Sequence, residues 1–163
     1  MDLISVAKNI KLLILDCDGI LTDGKIYYTS DGVEMLAFNI LDGYGIVRLQ
    51  QIGVEVAIIS GRKNKAVEYR LSQLNIKHVF LGHNDKMMAF NMLLKTISTP
   101  LNQIAYMGDD LPDLPIMEKV ALPITVPNAV DAIKKIAVWC TQKKGGRGAV
   151  REVCDYIYDA QKS

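Results

Sequence analysis

The sequence predicts an α/β fold: a doubly wound, Rossmann-like parallel sheet that carries a β-hairpin flap. Three observations predict it. Short apolar runs alternate with amphipathic stretches along most of the chain. The runs are unbroken rather than alternating, which is the pattern of strands buried on both faces. Asp16, Ser60 and Asp109 stand where three of those runs stop, and an open parallel sheet binds its ligands beyond the carboxyl ends of its strands.

The strand-like runs are residues 11–15, 54–60, 78–81, 103–107 and 120–125, all rich in Ile, Val and Leu. Helical periodicity over 44–51, 65–74 and 86–96 separates the first four, and a shorter helix over 113–119 precedes the fifth. Apolar runs joined through helices imply crossovers, hence a parallel sheet. One segment breaks the rhythm. Residues 25–29 and 33–38, joined by Ser30-Asp31-Gly32, read as a β-hairpin, because Asp-Gly favours the turn and β-branched or aromatic residues flank it. It follows the Asp16 cluster closely, so it is expected to stand over or beside the site. Residues 143–148, Lys-Lys-Gly-Gly-Arg-Gly, predict a flexible basic loop before an amphipathic helix over 149–161.

A chain of 163 residues, half of them apolar, predicts a single domain over 1–163 with a sizeable core. Its hairpin covers 25–38 and its tail 143–163. A net charge of +1 points to neither nucleic acid nor a membrane surface. No apolar stretch approaches the roughly 20 residues of a membrane span, and residues 1–8 lack the basic start and long apolar core of a signal peptide. The 3 cysteines, Cys17, Cys140 and Cys154, are widely spaced with no C-x-x-C pair, which predicts packed thiols in a reduced, cytoplasmic compartment. Cys17 lies between two acids that would raise its pKa, so it is a poor nucleophile.

The chemistry lies in the acids. Asp16-Cys17-Asp18-Gly19 ends the first run, and Gly108-Asp109-Asp110-Leu111-Pro112-Asp113 follows another. If the two strands are neighbours, these carboxylates converge. Two carboxylates about 4 Å apart repel by about 1 kcal/mol in water and about 4 kcal/mol at the effective dielectric of a protein surface. A hard cation with oxygen ligands relieves that repulsion, and Mg²⁺ suits a site that also holds phosphate. Ser60-Gly61 offers a hydroxyl and a close backbone N–H to a phosphate oxygen, and Lys86, opening a helix, offers a positive charge. One carboxylate could attack phosphorus and a second move the proton. Taken singly, D-x-D is usually a strand end, Ser-Gly a turn and Lys86 a surface lysine. Their ordered placement after strands or at a helix start sets the group apart from those readings.

In that order the residues resemble the haloacid dehalogenase superfamily of phosphotransferases. Asp16-Cys17-Asp18-Gly19-Ile20-Leu21-Thr22-Asp23 is similar to its first motif, Ser60 in Ile58-Ile59-Ser60-Gly61-Arg62 to its second, Lys86 to its third, and Gly108-Asp109-Asp110-Leu111-Pro112-Asp113 to its fourth. Phe38-Asn39, Asp42-Gly43-Tyr44-Gly45-Ile46, Pro115 to Val120 and Gly145 to Cys154 resemble the branch of 3-deoxy-D-manno-octulosonate 8-phosphate phosphatases, over roughly residues 10–161. The resemblance implies a haloacid dehalogenase type fold with no large cap domain. It implies a Mg²⁺-dependent phosphatase releasing an eight-carbon sugar acid and inorganic phosphate, a step of lipopolysaccharide precursor synthesis. Asp16 would be nucleophile and Mg²⁺ ligand. Asp18 would be the general acid/base, with its backbone carbonyl on the metal, and Asp109 the third ligand. Asp110 and Asp113 would support the metal and its waters or orient Lys86. Ser60, Gly61 and Lys86 would hold the phosphoryl group, while Arg62 and Arg147 would bind phosphate or the sugar acid's carboxylate. It further implies a homotetramer with hairpins meeting at the centre and helping to enclose neighbouring sites.

Where many relatives have a basic residue before Asp-Gly-Tyr-Gly, this chain has Leu41, which keeps open a phosphatase of a nine-carbon, sialic-type sugar acid phosphate. A phospho-accepting module like a response-regulator receiver would use similar parts but has no need of Asp18. A non-catalytic scaffold would not need the carboxylates at all. Of the remaining residues, Tyr27 or Tyr28 is expected to face a partner subunit or the core, and Asp42 to line the entrance or cap a helix. Lys143 and Lys144 are expected to be solvated, and His78 and His83 have no partner at metal-binding spacing.

Overall fold

A computed structural model describes residues 2–163. The chain opens with a helix, α1 (Leu3–Asn9), and a strand, β1 (Leu12–Leu15). A two-stranded excursion follows, β2 (Tyr27–Tyr28) and β3 (Glu34–Met35). Then come α2 (Ile40–Gln51), β4 (Glu55–Ser60), α3 (Lys65–Gln73), β5 (His78–Leu81) and α4 (Lys86–Thr96). The chain ends with β6 (Ile104–Met107), α5 (Leu114–Met117), β7 (Leu122–Thr125), α6 (Asp131–Ile136), β8 (Trp139–Cys140) and α7 (Ala149–Lys162).

The main sheet has 6 strands in the order β5-β4-β1-β6-β7-β8, every neighbouring pair parallel. From β1 the chain winds outward through β4 to β5, then returns to β1's other side to lay down β6. The order therefore reverses between β1 and β6, and a crevice opens at such a switch point. Register sets what faces it. Leu15 pairs with Met107, so Asp16 leaves β1 beside the point where Gly108 and Asp109 leave β6. The strands carrying these acids are rigidly held: every residue of β1 and β6 is fully buried.

The doubly wound parallel sheet is as expected, and the differences are local. A sixth strand, β8, and two short helices, α1 and α6, were not foreseen. Helices of seven and six residues are too short to declare a period. β8 pairs only through Trp139 and Cys140. α2 starts at Ile40 rather than 44, because the Asn39 side chain accepts the Leu41 N–H at 2.8 Å and caps it there. Gly43 and Gly45 weaken the helical signal of that first turn. The hairpin pairs only Tyr27 with Met35 and Tyr28 with Glu34, with Thr29 N–H donating to Val33 O at 3.0 Å to close the turn.

The stretch 143–148 is not a free loop. Gly145 N–H donates to Asn128 Oδ1 at 2.9 Å, and Gly146 N–H to Ile20 O at 2.9 Å. Glu152 accepts the N–H groups of Gln142 and Lys143 at 2.9 and 3.0 Å. A side chain at Gly145 would run into the carbonyl of Gly19, so glycine is what lets the two backbones meet. Asp42 does cap a helix, but not its own: its Oδ1 accepts the Arg151 N–H in the first turn of α7 at 2.8 Å.

Candidate active site

The loop after β1 is built by its own small residues. The Cys17 carbonyl accepts the N–H groups of Ile20, Leu21 and Thr22. Thr22 Oγ1 in turn accepts those of Gly19 and Gly24 at 3.3 and 3.2 Å. Gly19 has φ +83°, in the left-handed region, and a Cβ there would overlap the Asp109 carboxylate. The glycine that follows the acidic pair is thus what allows Asp109 to close on Asp16.

One oxygen each of Asp16, Asp109 and Asp113 lie within 4.8 Å of one another. Lys86, buried at the start of α4, sets its Nζ 2.8 Å from Asp16 Oδ1 and 2.6 Å from Asp113 Oδ1. Asp113 is completely saturated. Its Oδ1 also accepts the Tyr106 hydroxyl at 2.6 Å, and its Oδ2 accepts the N–H groups of Asp109 and Asp110 at 3.0 and 3.2 Å. Asp110 caps the short 3-10 turn that carries this acid, its Oδ1 accepting the Leu111 N–H at 2.8 Å.

The electrostatics follow from the count. Three carboxylates face a single ammonium. Burial raises the Asp16 carboxyl well above its usual range and Asp113 adds to the effect, although Lys86 opposes it. Burial and Asp113 raise Asp109 to about 6. Burial alone would lower the pKa of Lys86, but Asp16 and Asp113 outweigh it and raise it. The arrangement is short of positive charge. Asp113 has no acceptor site left, whereas Asp16 and Asp109 keep carboxylate oxygens turned to the cleft. These hard oxygen donors and this uncompensated charge fit a divalent cation of the Mg²⁺ kind.

A cleft of about 430 Å³ opens over these groups. Asp16, Asp18, Ser60, Gly61, Arg62, Lys86, Asp109, Asp110 and Asp113 all line it. Ser60 Oγ accepts the Arg62 N–H at 3.3 Å, which holds the turn after β4. The Arg62 Nε lies 3.0 Å from Asp18 Oδ2, and its guanidinium also pairs with Glu34 of β3. The hairpin therefore stands beside the site, one of the two expected placements, and is tied to it through Glu34, a residue the sequence did not single out.

Arg147 is not with the others. It lines a separate hollow of about 270 Å³ with Tyr27 and Asn39, and its guanidinium is 3.8 Å from Asp23. The docked glycines carry it to the outer side of the first acidic loop rather than into the cleft. One further departure is smaller. The Cys17 thiol is raised chiefly by burial, with the flanking acids second. Tyr27 and Tyr28 are both exposed. His78 Nε2 lies 2.6 Å from Glu55 Oε2, at the far end of β4. Asn84 at the rim and Tyr106 beneath Asp113 were also missed. Tyr106 did leave a trace, as a hydroxyl-bearing residue in an otherwise apolar strand.

Residues 78–153 match the family model of haloacid dehalogenase-like hydrolases. The chain is 49% identical over 160 residues to 3-deoxy-D-manno-octulosonate 8-phosphate phosphatase of Escherichia coli K12, covering 98% of this chain and 85% of the relative. The crystal structure of the Yersinia pestis phosphatase of that description superposes with TM-score 0.96 at 47% identity, covering 99% of this chain and 87% of that one. That of Moraxella catarrhalis, in complex with magnesium ion, phosphate ion and KDO, superposes with TM-score 0.94 at 43% identity, covering 98% and 91%.

Proposed function

Since the chain belongs to the 3-deoxy-D-manno-octulosonate 8-phosphate phosphatase family of haloacid dehalogenase-like hydrolases, we propose that it hydrolyses that eight-carbon sugar acid phosphate to the free acid and inorganic phosphate with Mg²⁺. The observation that carries the proposal is the single ammonium of Lys86 shared between buried Asp16 and Asp113, beside Asp109 and beneath an open cleft. A buried cluster with that charge deficit is costly without a role for the charge. The relative whose structure holds magnesium, phosphate and the sugar acid supplies the substrate class.

The residues divide the work. A carboxylate oxygen of Asp16 attacks phosphorus, and the bond to the sugar's oxygen breaks, leaving an aspartyl-phosphate. Asp18 gives the leaving oxygen its proton, then takes one from the water that attacks the same phosphorus and releases Asp16. Arg62 holds Asp18 in place. Lys86, the Ser60 hydroxyl and the Gly61 N–H bind the phosphoryl oxygens. Asp16, Asp109 and the Asp18 backbone carbonyl would hold the Mg²⁺, which when bound withdraws charge from the transferring group.

The hairpin supports assembly as a homotetramer. Tyr27, Tyr28, Val33 and Met35 are all exposed, and an isolated two-stranded hairpin is at best marginally stable in water. A cytoplasmic location is in keeping with the free cysteines, and among the described residues no helix is long and apolar enough to cross a membrane.

The direct test is phosphate release from eight- and nine-carbon sugar-acid phosphates in parallel, with Mg²⁺ and with chelator. Mg²⁺-dependent release with higher kcat/KM for the eight-carbon ester is the expected outcome. A preference for the nine-carbon ester would move the substrate to the sialic type and put Leu41 at its origin. Release unaffected by chelator would overturn the mechanism.

A further inference from the structure

Tyr106 is a fully buried residue in the middle of β6, where its neighbours Ile104, Ala105 and Met107 are apolar and equally buried. Phenylalanine would fill the same space. A buried hydroxyl costs free energy unless it is hydrogen-bonded, so the oxygen has to be explained by its partner. That partner is Asp113 Oδ1, at 2.6 Å.

We infer that the Tyr106 hydroxyl is a positioning group for the reaction: through Asp113 it fixes the Lys86 ammonium in the orientation that faces the phosphoryl group. The inference rests on the phosphatase reading for the identity of that group. Four donors meet Asp113. The two backbone N–H groups on Oδ2 anchor the carboxylate to its own turn. They leave Oδ1 to Lys86 and to Tyr106, at 2.6 Å each. Two donors on one carboxylate oxygen must approach along different directions, so the hydroxyl restricts where Nζ can lie. Nζ is thereby directed to its second partner, Asp16 Oδ1, at 2.8 Å.

The route is consistent with the placement of the groups. Tyr106 does not line the cleft, whereas Asp113 and Lys86 do. The hydroxyl therefore acts from the sheet side and touches no reacting atom. Removing it opens one acceptor direction on Oδ1. Lys86 can then swing toward Asp113, keeping that ion pair while it loosens the one with Asp16. A fold-only role is the competing account: the hydroxyl would simply anchor the turn that holds Asp109.

Tyr106→Phe separates the two. With Mg²⁺, kcat on the sugar-acid phosphate falls about 10- to 100-fold, the range typical of residues that orient a reacting group, while KM and Tm change little. Calorimetric binding of vanadate, which takes the geometry of the phosphoryl group in transfer, weakens by a similar factor, and binding of inorganic phosphate much less. In an Asp113→Ala background, which leaves the hydroxyl no acceptor to act through, the same tyrosine substitution weakens vanadate binding no further. Wild-type kcat, equal weakening of vanadate and phosphate, independent effects in the double variant, or failure of Tyr106→Phe to fold would each overturn the inference. If the wild-type protein releases no phosphate from the sugar acid, the substrate reading fails. The vanadate and phosphate titrations still decide the role of Tyr106.

Discussion

Asp113 in the cleft and Asp42 in the seam between α2 and α7 are buried to the same degree, at 0% and 1% exposure. Their surroundings are opposite. Asp113 receives an ammonium, a hydroxyl and two backbone N–H groups. Asp42 receives one N–H from Arg151 on Oδ1, and its Oδ2 has no partner among the described residues. The cleft thus supplies every donor its carboxylate can use, because a charge there has to be kept and aimed. The seam supplies one, because a helix start needs only an acceptor oxygen. Burial alone would not have distinguished a residue of the reaction from a residue of the frame; the number and kind of donors does.

Asp16→Asn is the sharpest way to test the cleft half of that contrast. It removes the attacking oxygen while leaving the shape intact, and turnover should fall by at least ~10³-fold, as when other nucleophiles are lost. Because Asp16 is one of three acids around one ammonium, the variant's Tm without Mg²⁺ should not fall. A marked fall would show that Asp16 holds the fold. Asp113→Ala should lower stability as well as activity. It takes one of two carboxylates from the Lys86 ammonium, which keeps Asp16, and leaves the Tyr106 hydroxyl buried with no acceptor, a loss of about 1–3 kcal/mol, seen as a lower urea midpoint together with lost activity. Gly19→Ala comes next. Its Cβ would displace the Asp109 carboxylate, and Mg²⁺ affinity by calorimetry should drop about 10- to 100-fold. Unchanged affinity would take Asp109 out of the metal site.

The sequence displayed the cleft more openly than the seam, for a physical reason. Asp16, Ser60 and Asp109 are polar residues that interrupt apolar runs, and Lys86 opens a helix, so strand and helix ends mark them without any knowledge of tertiary contacts. The parallel sheet was legible because its strands are buried on both faces and read as unbroken apolar runs. What was hidden depends on meetings between distant segments. Glu34 reaches Arg62 across the hairpin, Asn128 joins Gly19 to Gly145, and Asp42 caps a helix 109 positions away. Nothing local distinguishes a glycine pair that hinges from one that docks, so residues 143–148 looked mobile and Arg147 looked available to the cleft. α1, α6 and β8 escaped because each is too short to show a period.

The smallest effect tests the seam. Asp42→Ala removes the side-chain acceptor that Arg151 N–H uses at the start of α7 and should cost about 1 kcal/mol, the usual loss of a helix cap, or about 2–4 °C in Tm for a chain of this size. Asp42→Asn separates the acceptor from the charge. Burial raises the Asp42 carboxyl above its usual value, although the Arg151 N–H partly opposes it. A carboxyl whose folded pKa is raised favours the fold below its unfolded value, 3.8, and that contribution is lost as pH rises through the folded value. Asparagine keeps an oxygen for Arg151 and carries no charge at any pH. The variant should therefore match or trail the wild type in Tm below pH 4 and gain on it as pH rises through the folded value of the wild-type carboxyl. A difference in Tm that stays flat across that range would mean the Asp42 charge is fully served in the fold. The contrast with Asp113 would then rest on something other than donors.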